Sequence, residues 1–273
     1  MSMQSNEHLE QVRRDGFTIF EGVIPSDEVE DVRASVFETA SRFFNPQIRA
    51  ELGVTNVRAF INHNQSFVPY VADQCMMGVL NGLFGPHVRI SFSSTQINDP
   101  GNPRTVWHAD WPFNQNNAGH IPAPYPDFCI HVTTLWMLSP FTKENGGTLI
   151  VPGSHRTNIN PTADMGVDPV APYPSEVLVT GKAGSVIMFD SRMWHAANHN
   201  GTNEPRVSLA LRYAPWWLNL DVLRPDSDDR KRMVDEPGAK ESSVPLVKRD
   251  VFDSLPTDVK PLWRHWVEPA GDC

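Results

Sequence analysis

The stretch Trp107-His108-Ala109-Asp110-Trp111 places a histidine and an aspartate two positions apart. If residues 105–110 form a strand, His108 and Asp110 point to the same face and can bind one metal ion together. The pattern alone is weak, because ten histidines and 32 acidic residues give about one His-x-acid sequence by chance. A second example, His8-Leu9-Glu10, lies in a predicted helix, where residues two apart face different directions.

The composition is typical of a globular protein that binds a small molecule. With 273 residues and 40% hydrophobic content, the chain could form one large β-rich domain or two small ones. A barrel of this size commonly stays single, so we expect one domain over residues 1–273. The net charge of −9 and the scattered lysines and arginines argue against a nucleic acid or an anionic membrane as partner.

The cysteines and the N-terminal segment favour a cytoplasmic location. Cys75, Cys129 and Cys273 are odd in number and far apart, which indicates neither a disulfide framework nor a structural zinc site. The first residues, MSMQSNEHLEQVRRDG, contain no apolar signal region, and no run approaches the ~18 apolar residues of a membrane span.

Helical periodicity dominates the first part of the chain. The pattern predicts a helix over residues 5–14, a short strand at 17–20, a helix from an N-cap at Ser26 to about Phe44, and a helix over 71–84. Residues 45–69 are irregular and polar. We interpret them as a surface loop, with a loop over a pocket as the alternative.

The pattern changes after Pro86 to short β-branched and aromatic runs separated by glycine, proline and asparagine. The predicted strands are residues 88–97, 105–110, 129–138, 148–151, 177–180, 185–189, 193–197 and 207–213. This series predicts a mainly β fold with flanking helices, either a barrel or a jelly-roll sandwich, over about residues 86–214. Helices at 5–84 precede it, and an extension at 215–273 follows it.

Three further segments carry predictions. The long connection 111–128 is expected to be a substrate lid, since connections of this length are usually functional or disordered. Residues 226–243 are charged and are expected to form a solvated loop. Residues 259–266 have helical apolar spacing and are expected to pack on the barrel, with a homodimer contact as the alternative. The lid residues expected to contact substrate are Trp111, Phe113, Gln115 and His120.

Several later motifs join the first pair into one constellation. They are the run Asn145-Gly146-Gly147-Thr148-Leu149-Ile150-Val151-Pro152-Gly153-Ser154-His155, His195 after Phe189-Asp190, and Arg206 eleven residues beyond His195. Together with His108 and Asp110 they resemble the phytanoyl-CoA dioxygenase family of Fe(II)- and 2-oxoglutarate-dependent oxygenases. The resemblance covers about residues 15–213. It implies a double-stranded β-helix, the cupin-like form of the jelly-roll barrel.

The resemblance implies iron ligands at His108, Asp110 and His195. Two imidazoles and one carboxylate on one face of an iron leave positions for a bidentate 2-oxo acid and for O₂. It also implies that the planar, always-charged fork of Arg206 binds the far carboxylate of 2-oxoglutarate. A buried structural arginine is the alternative.

The other cosubstrate contacts implied by the resemblance are Ser208, Gln96 and Trp136. Ser208 would share a strand face with Arg206, whereas Trp136 could equally be a plain core residue on an apolar strand. The resemblance treats the turn containing His155 as structural, outside the metal site. His131, on an apolar strand, is expected to be a hydrogen-bonded core histidine.

The implied reaction is decarboxylation of 2-oxoglutarate to succinate and CO₂, coupled to hydroxylation of a metabolite or secondary-metabolite intermediate by O₂, with ascorbate as activator. The carboxylate of Asp110 argues against the halogenating variant of this chemistry, which has a small residue there. Two alternatives stay open at this stage. One is a zinc-type hydrolase using the same three ligands, and the other is a non-catalytic barrel that binds a metal or ligand.

Overall fold

The computed structural model describes residues 2–270. The first 84 residues contain four α-helices, with the first strand between α1 and α2: α1 (Met3–Asp15), α2 (Val29–Phe43), α3 (Pro46–Leu52) and α4 (Gln74–Phe84). Eight strands form the sheets: β1 (Phe17–Phe20), β2 (Arg89–Thr95), β3 (Val132–Met137), β4 (Thr148–Ile150), β5 (Val177–Leu178), β6 (Val186–Asp190), β7 (His195–Ala197) and β8 (Ser208–Ala214). The extension contains α5 (Asp228–Arg230), a π-helical turn (Lys231–Asp235), α6 (Arg249–Ser254) and α7 (Lys260–Trp263).

The N-terminal helices follow the predicted order with changed boundaries. The predicted N-cap at Ser26 is wrong: α2 begins at Val29, because residues before it form a turn in which the N–H of Val29 bonds to the Pro25 carbonyl (3.0 Å). The start of α4 shifts from residue 71 to Gln74, where the Asp73 side chain accepts from the N–H of Met76. Cap chemistry rather than apolar spacing therefore sets these boundaries.

The segment predicted as irregular contains a short helix. The side chain of Asn45 caps α3, and Pro46 occupies its first turn, where the missing N–H costs nothing. None of the residues of α3 is buried. The helix therefore lacks the apolar periodicity on which its prediction would depend.

All the strands pair antiparallel in two sheets. The larger sheet has the order β1-β6-β3-β8-β2, and the smaller one has the order β5-β4-β7. The predicted strand at 105–110 is wrong as a strand, because this segment is extended but makes a single bridge, between His108 and His195. Residues 105–110 therefore lie beside β7 without forming a continuous series of strand hydrogen bonds with it.

The larger sheet separates a helical layer from the interior between the sheets. On one face, Val132, Trp136 and Leu211 pack with α1, α2 and α4 in the largest core cluster. On the other face, Leu135 and Phe189 pack with Ile150 of the small sheet. Two facing antiparallel sheets with flanking helices are the predicted jelly-roll architecture.

The C-terminal extension is more ordered than its composition predicts. Val259, Leu262, Trp263 and Trp266 are buried, as their spacing predicts, although α7 covers only part of the range. The solvated loop predicted at 226–243 is wrong in part, because residues 228–235 are helical and Val234 is buried. Val234 packs with Phe92 and Trp111, so the extension is part of the core beside the interior cavity.

Within residues 2–270, no helix is both long and apolar enough to cross a bilayer. Cys75 and Cys129 are free thiols, as predicted. Cys273 lies outside the described residues.

Candidate metal and cosubstrate site

The extended segment and β7 bring His108, Asp110 and His195 together. One ligand atom from each lies within 4.8 Å of the other two, and Nε2 of His195 is 3.7 Å from Oδ2 of Asp110. The His108 and His195 backbones exchange two hydrogen bonds (3.0 and 3.1 Å), and the N–H of Asp110 donates to the Ser191 carbonyl (2.9 Å). Backbone pairing thus fixes the spacing of the three side chains.

Both imidazoles are oriented for metal binding. Nδ1 of His108 lies 3.0 Å from the Val106 carbonyl, and Nδ1 of His195 lies 3.0 Å from the Met193 carbonyl. A carbonyl only accepts, so each Nδ1 carries the proton and each Nε2 presents a lone pair. Burial, followed by the charge of His108, lowers the pKa of His195 to about 4, so this ring is neutral at physiological pH.

Asp110 is held as a carboxylate. Burial opposes its ionisation, but the charge of Arg212, assisted by His195, His108 and a hydrogen bond from Thr133, keeps the pKa of Asp110 well below its ordinary value. Arg212 donates to Oδ1, and the Thr133 hydroxyl donates to Oδ2 (2.6 Å). An acceptor with both oxygens oriented in this way is a ready metal ligand.

Arg206 is a buried cation that forms no ion pair with any other residue in the range 2–270. Only 3% of the residue is exposed, its Nε has no hydrogen-bond partner, and its Nη1 donates to the Thr148 hydroxyl (3.3 Å). The guanidinium lies over the Phe141 ring, 4.2 Å from the ring centre. Burial lowers the pKa of Arg206 to about 10, which leaves it charged. An unpaired buried charge is costly, so this arrangement favours an anionic ligand.

One cavity of about 330 Å³ connects these groups between the two sheets. The predicted residues that line it are His108, Asp110, His195, Arg206, Gln96 and Trp111. The indole N–H of Trp111 is buried without a partner. Asn114, Asn116 and Asn117 of the predicted lid also line the cavity, so part of the 111–128 connection does cover it.

Two predicted cosubstrate residues do not reach the cavity. Trp136 faces the helical layer, where it is fully buried and its indole N–H donates to the Thr134 hydroxyl (3.0 Å). Strand alternation explains this, since its neighbours Leu135 and Met137 take the interior face. The Ser208 hydroxyl donates to the Gln96 carbonyl (2.7 Å) and does not line the cavity.

Three lid residues predicted to contact substrate lie elsewhere. Phe113 is fully buried in a separate cluster with Ala109 and Ile130. The Gln115 amide donates to the Ile121 carbonyl (2.8 Å), and His120 is exposed. None of these three side chains lines the cavity; Phe113 and Gln115 instead stabilise the 111–128 connection through packing and hydrogen bonds.

The histidines expected to be structural occupy the core. Ser91 and Ser191 contact the two nitrogens of His131 (2.9 and 2.7 Å). His155 is buried against Gly16, where an added Cβ would lie 2.3 Å from its Nδ1. Gly16 also has a φ of +87°, so both space and backbone require glycine there.

Sequence reasoning missed Arg212, Thr133 and Thr148, which line the cavity, and it interpreted the segment that contains Arg58 as a surface loop, with a loop over a pocket as the alternative. Asn56 and Arg58 of that segment do line the cavity. Arg212 could have been found, because it lies six residues after Arg206 and strand alternation puts both on one face. Thr133 lies two residues before Leu135 on the same strand, so strand alternation places both side chains on the interior face. Arg58 carries no such signal, since the segment around it is irregular and its partners are distant in sequence.

Comparison with known proteins agrees with this geometry. The profile of the phytanoyl-CoA dioxygenase (PhyH) family matches residues 12–208. An ectoine dioxygenase from Nocardia farcinica is 28% identical over 236 residues, covering 76% of this chain and 76% of its own. Dioxygenase af480 from Aspergillus fumigatus is 23% identical over 223 residues, covering 78% of this chain and 67% of its own.

Solved structures share the fold. HygX from Streptomyces hygroscopicus, with nickel and 2-oxoglutarate bound, superposes with a TM-score of 0.65 at 17% identity, covering 89% of this chain and 96% of its own. EctD from S. alaskensis, with 2-oxoglutarate and 5-hydroxyectoine, superposes with a TM-score of 0.61 at 22% identity, covering 79% and 76%. The predicted cupin-like fold is thus confirmed. Because the family profile spans more than half of its residues, the chain belongs to the phytanoyl-CoA dioxygenase (PhyH) family.

Proposed function

We propose that this dioxygenase uses Fe(II), 2-oxoglutarate and O₂ to hydroxylate a small-molecule metabolite or secondary-metabolite intermediate. In the overall reaction one oxygen atom enters the substrate as hydroxyl, and 2-oxoglutarate becomes succinate and CO₂. The observation that carries the proposal is that three metal-type ligands and an unpaired buried arginine share one cavity. The dioxygenase class itself follows from family membership.

The donor set fits Fe(II). Two imidazoles and a carboxylate on one side of a site, with open positions on the other, are the arrangement of non-haem Fe(II) oxygenases. His108, Asp110 and His195 would hold the ion, which supplies, together with 2-oxoglutarate and O₂, the oxidising power needed to break a substrate C–H bond. Arg212 and Thr133 would keep Asp110 ionised and oriented throughout.

The second half of the cavity fits a dicarboxylate. Arg206 offers unused donors on a buried cation, and Thr148 offers a hydroxyl beside them. A bidentate guanidinium pair would fix one carboxylate, leaving the oxo-acid end for the metal. We propose Gln96, which lines the same cavity, as a further polar contact and Trp111 as a substrate contact.

The similar proteins support this assignment and leave the outcome of the reaction to be tested. The names of the ectoine dioxygenases and the ligands in the HygX and EctD structures agree with 2-oxoglutarate chemistry on this fold. A neighbour named as the epimerase SnoN shows that the fold also carries other outcomes. Product identification must therefore accompany any activity assay.

Succinate release is the test of the proposal. The purified protein is incubated with Fe(II), ascorbate, O₂ and 2-oxoglutarate across a metabolite panel, and succinate and oxidised product are measured by mass spectrometry. We expect substrate-stimulated succinate that disappears without iron or 2-oxoglutarate. Zinc-supported turnover without 2-oxoglutarate would indicate a hydrolase. Ligand binding without succinate under any condition would indicate a non-catalytic protein.

Four accompanying expectations belong to the same proposal. Ascorbate is expected to sustain activity by keeping the iron reduced. The chain is expected to act in the cytoplasm as a single domain over residues 1–273. A homodimer remains the alternative to a monomer, to be decided by light scattering.

A further inference from the structure

Arg58 is a cation in the cavity that no carboxylate neutralises. Its Nε is buried without a hydrogen-bond partner, and Arg58 takes part in none of the ion pairs within residues 2–270. Burial, followed by the charge of Arg212, lowers the pKa of Arg58. Arg212 itself is paired with Asp110, and Arg206 is assigned to the cosubstrate, so Arg58 is the cavity guanidinium that has no anion assigned to it.

The charges lining the cavity are unbalanced. Among the described residues, four cationic side chains line it, namely Arg58, Arg206, Arg212 and Lys240, against two carboxylates, Asp110 and Glu51. An Fe(II) ion and a 2-oxoglutarate dianion cancel each other, so the proposed ligands do not remove the positive excess. Arg206 and Arg212 have their anions assigned, to the cosubstrate and to Asp110. Arg58 and Lys240 remain. The exposed Glu51 and the half-buried Glu241 act on Arg58 through their charge, but within residues 2–270 neither forms an ion pair with it.

Backbone contacts anchor the main chain of both residues at the cavity. Arg58 forms a backbone bridge with Ser94 of β2, next to the cavity residue Phe92. The Lys240 carbonyl accepts from the N–H of Ala118 (2.8 Å), which ties the C-terminal extension to the 111–128 connection. A fixed, partly desolvated guanidinium binds an anionic oxygen more strongly than a mobile surface cation does.

We infer that the substrate carries an anionic group, a carboxylate or a phosphate, and that Arg58 binds it with Lys240 at the cavity rim. The inference rests on the proposed function and names the substrate class for the same site. Asn56, whose buried Oδ1 has no partner, lines the cavity two residues from Arg58 and offers an acceptor to a polar substrate. Anion binding and a hydrogen-bond acceptor together favour a small polar acid over an apolar substrate.

Binding of simple anions tests the inference without knowledge of the substrate. The protein is loaded anaerobically with Ni(II) and saturating 2-oxoglutarate, and its melting temperature is followed against sulfate and acetate at constant ionic strength set by chloride. We expect both anions to stabilise the wild type and to bind Arg58→Gln about 10- to 100-fold more weakly, the loss typical of a charge-assisted hydrogen bond. Arg58→Lys is expected to restore part of the affinity.

A paired panel then tests the substrate itself. Small carboxylic acids and phosphate monoesters are each compared with a neutral ester or amide, by calorimetric binding and by succinate release. We expect the acid of a pair to bind at least 10-fold more tightly, and Arg58→Gln to abolish that preference. If the carboxylic acids show this preference, the anionic group of the substrate is a carboxylate; if the phosphate monoesters show it, the group is a phosphate.

The control is Arg264→Gln, which removes the same charge from an exposed arginine that does not line the cavity and should leave anion affinity unchanged. Equal anion binding by wild type and Arg58→Gln, or a preference for neutral panel members, would overturn the inference. If Arg58→Gln instead weakens 2-oxoglutarate binding, Arg58 binds the cosubstrate and the inference is wrong. Failure of the wild type to bind metal and 2-oxoglutarate refutes the proposed function instead.

Discussion

At the scale of single residues, the site combines a paired carboxylate with cations that have no anionic partner among residues 2–270. Asp110 is buried with both oxygens satisfied by Arg212 and Thr133, whereas Arg206 is buried without an anion. The first arrangement preforms a metal ligand before the metal arrives. The second leaves a buried, unfavourable charge whose cost the proposed dicarboxylate would relieve.

Replacing Asp110 tests the metal half of the site. Asp110→Asn keeps the shape but removes the charge, so we expect Ni(II) affinity, measured by anaerobic calorimetry, to fall by a factor of about 100 or more. Thr133→Val keeps the charge of Asp110 but removes the hydrogen bond to Oδ2 and the contact with the Ser191 hydroxyl (3.0 Å), and a smaller loss of about 10-fold is expected. Unchanged affinity in Asp110→Asn, with the fold intact by circular dichroism, would remove Asp110 from the ligand set.

Replacing Arg206 separates the binding role from a structural one. In Arg206→Met an unpaired buried charge becomes apolar, so we expect the ligand-free protein to melt at the same or a higher temperature. We also expect 2-oxoglutarate binding to weaken about 100-fold or more, with partial recovery in Arg206→Lys. A large loss of stability with normal cosubstrate binding would make Arg206 a structural arginine.

At the scale of elements, the C-terminal extension and the 111–128 connection are one assembly. Glu241 accepts from the side chain of Asn117 (2.8 Å) and from the N–H of Gly119 (3.1 Å), and burial raises the pKa of Glu241. Asn117 lines the cavity on the same connection. The extension thus holds the cavity wall in place.

The Glu241 contacts predict local stability in the connection. In Glu241→Ala we expect amide hydrogen exchange around residues 114–121 to accelerate about 10- to 100-fold, because hydrogen bonds to a charged acceptor are lost. Glu236→Ala, at an exposed position in the same segment, is the matched control and should change nothing. If exchange in the connection is the same in both variants, Glu241 does not hold it.

How far the sequence predicts these elements depends on whether their signals are local. The positions of most core strands follow from short β-branched and aromatic runs, and the grouping of His108, Asp110 and His195 follows from the family resemblance of their motifs. The face of the sheet on which Trp136 lies could not be predicted from the sequence. Its strand is buried on both faces, so polar and apolar residues do not alternate along it. Arg58 and Glu241 act on residues far away in sequence, so only the folded chain reveals them.

At the scale of the whole molecule, buried neutral histidines couple stability to pH. Burial lowers the pKa of His195 to about 4 and those of His131 and His265 to about 3, against an ordinary value of 6.5. Between those folded values and 6.5 the unfolded chain binds more protons than the folded one. Stability therefore falls as the pH is lowered from about 6.5 toward 4.

Urea unfolding of the metal-free protein between pH 7.5 and 4.5 measures this coupling. Each such histidine contributes on the order of 1.4 kcal/mol per pH unit in the window. His265→Phe removes one of the three groups, at a position away from the metal site, and should reduce the slope by about one proton. A stability that is flat or rises on acidification would contradict the assignment of these rings as buried and neutral.

The most direct measurement of the central claim is a crystal structure of the anaerobic protein with Fe(II) and 2-oxoglutarate. We predict one metal ion bound by Nε2 of His108, a carboxylate oxygen of Asp110 and Nε2 of His195. We predict the oxo acid on the same metal, with its far carboxylate paired to Arg206. A metal bound elsewhere, or a 2-oxoglutarate that leaves Arg206 unpaired, would contradict the account.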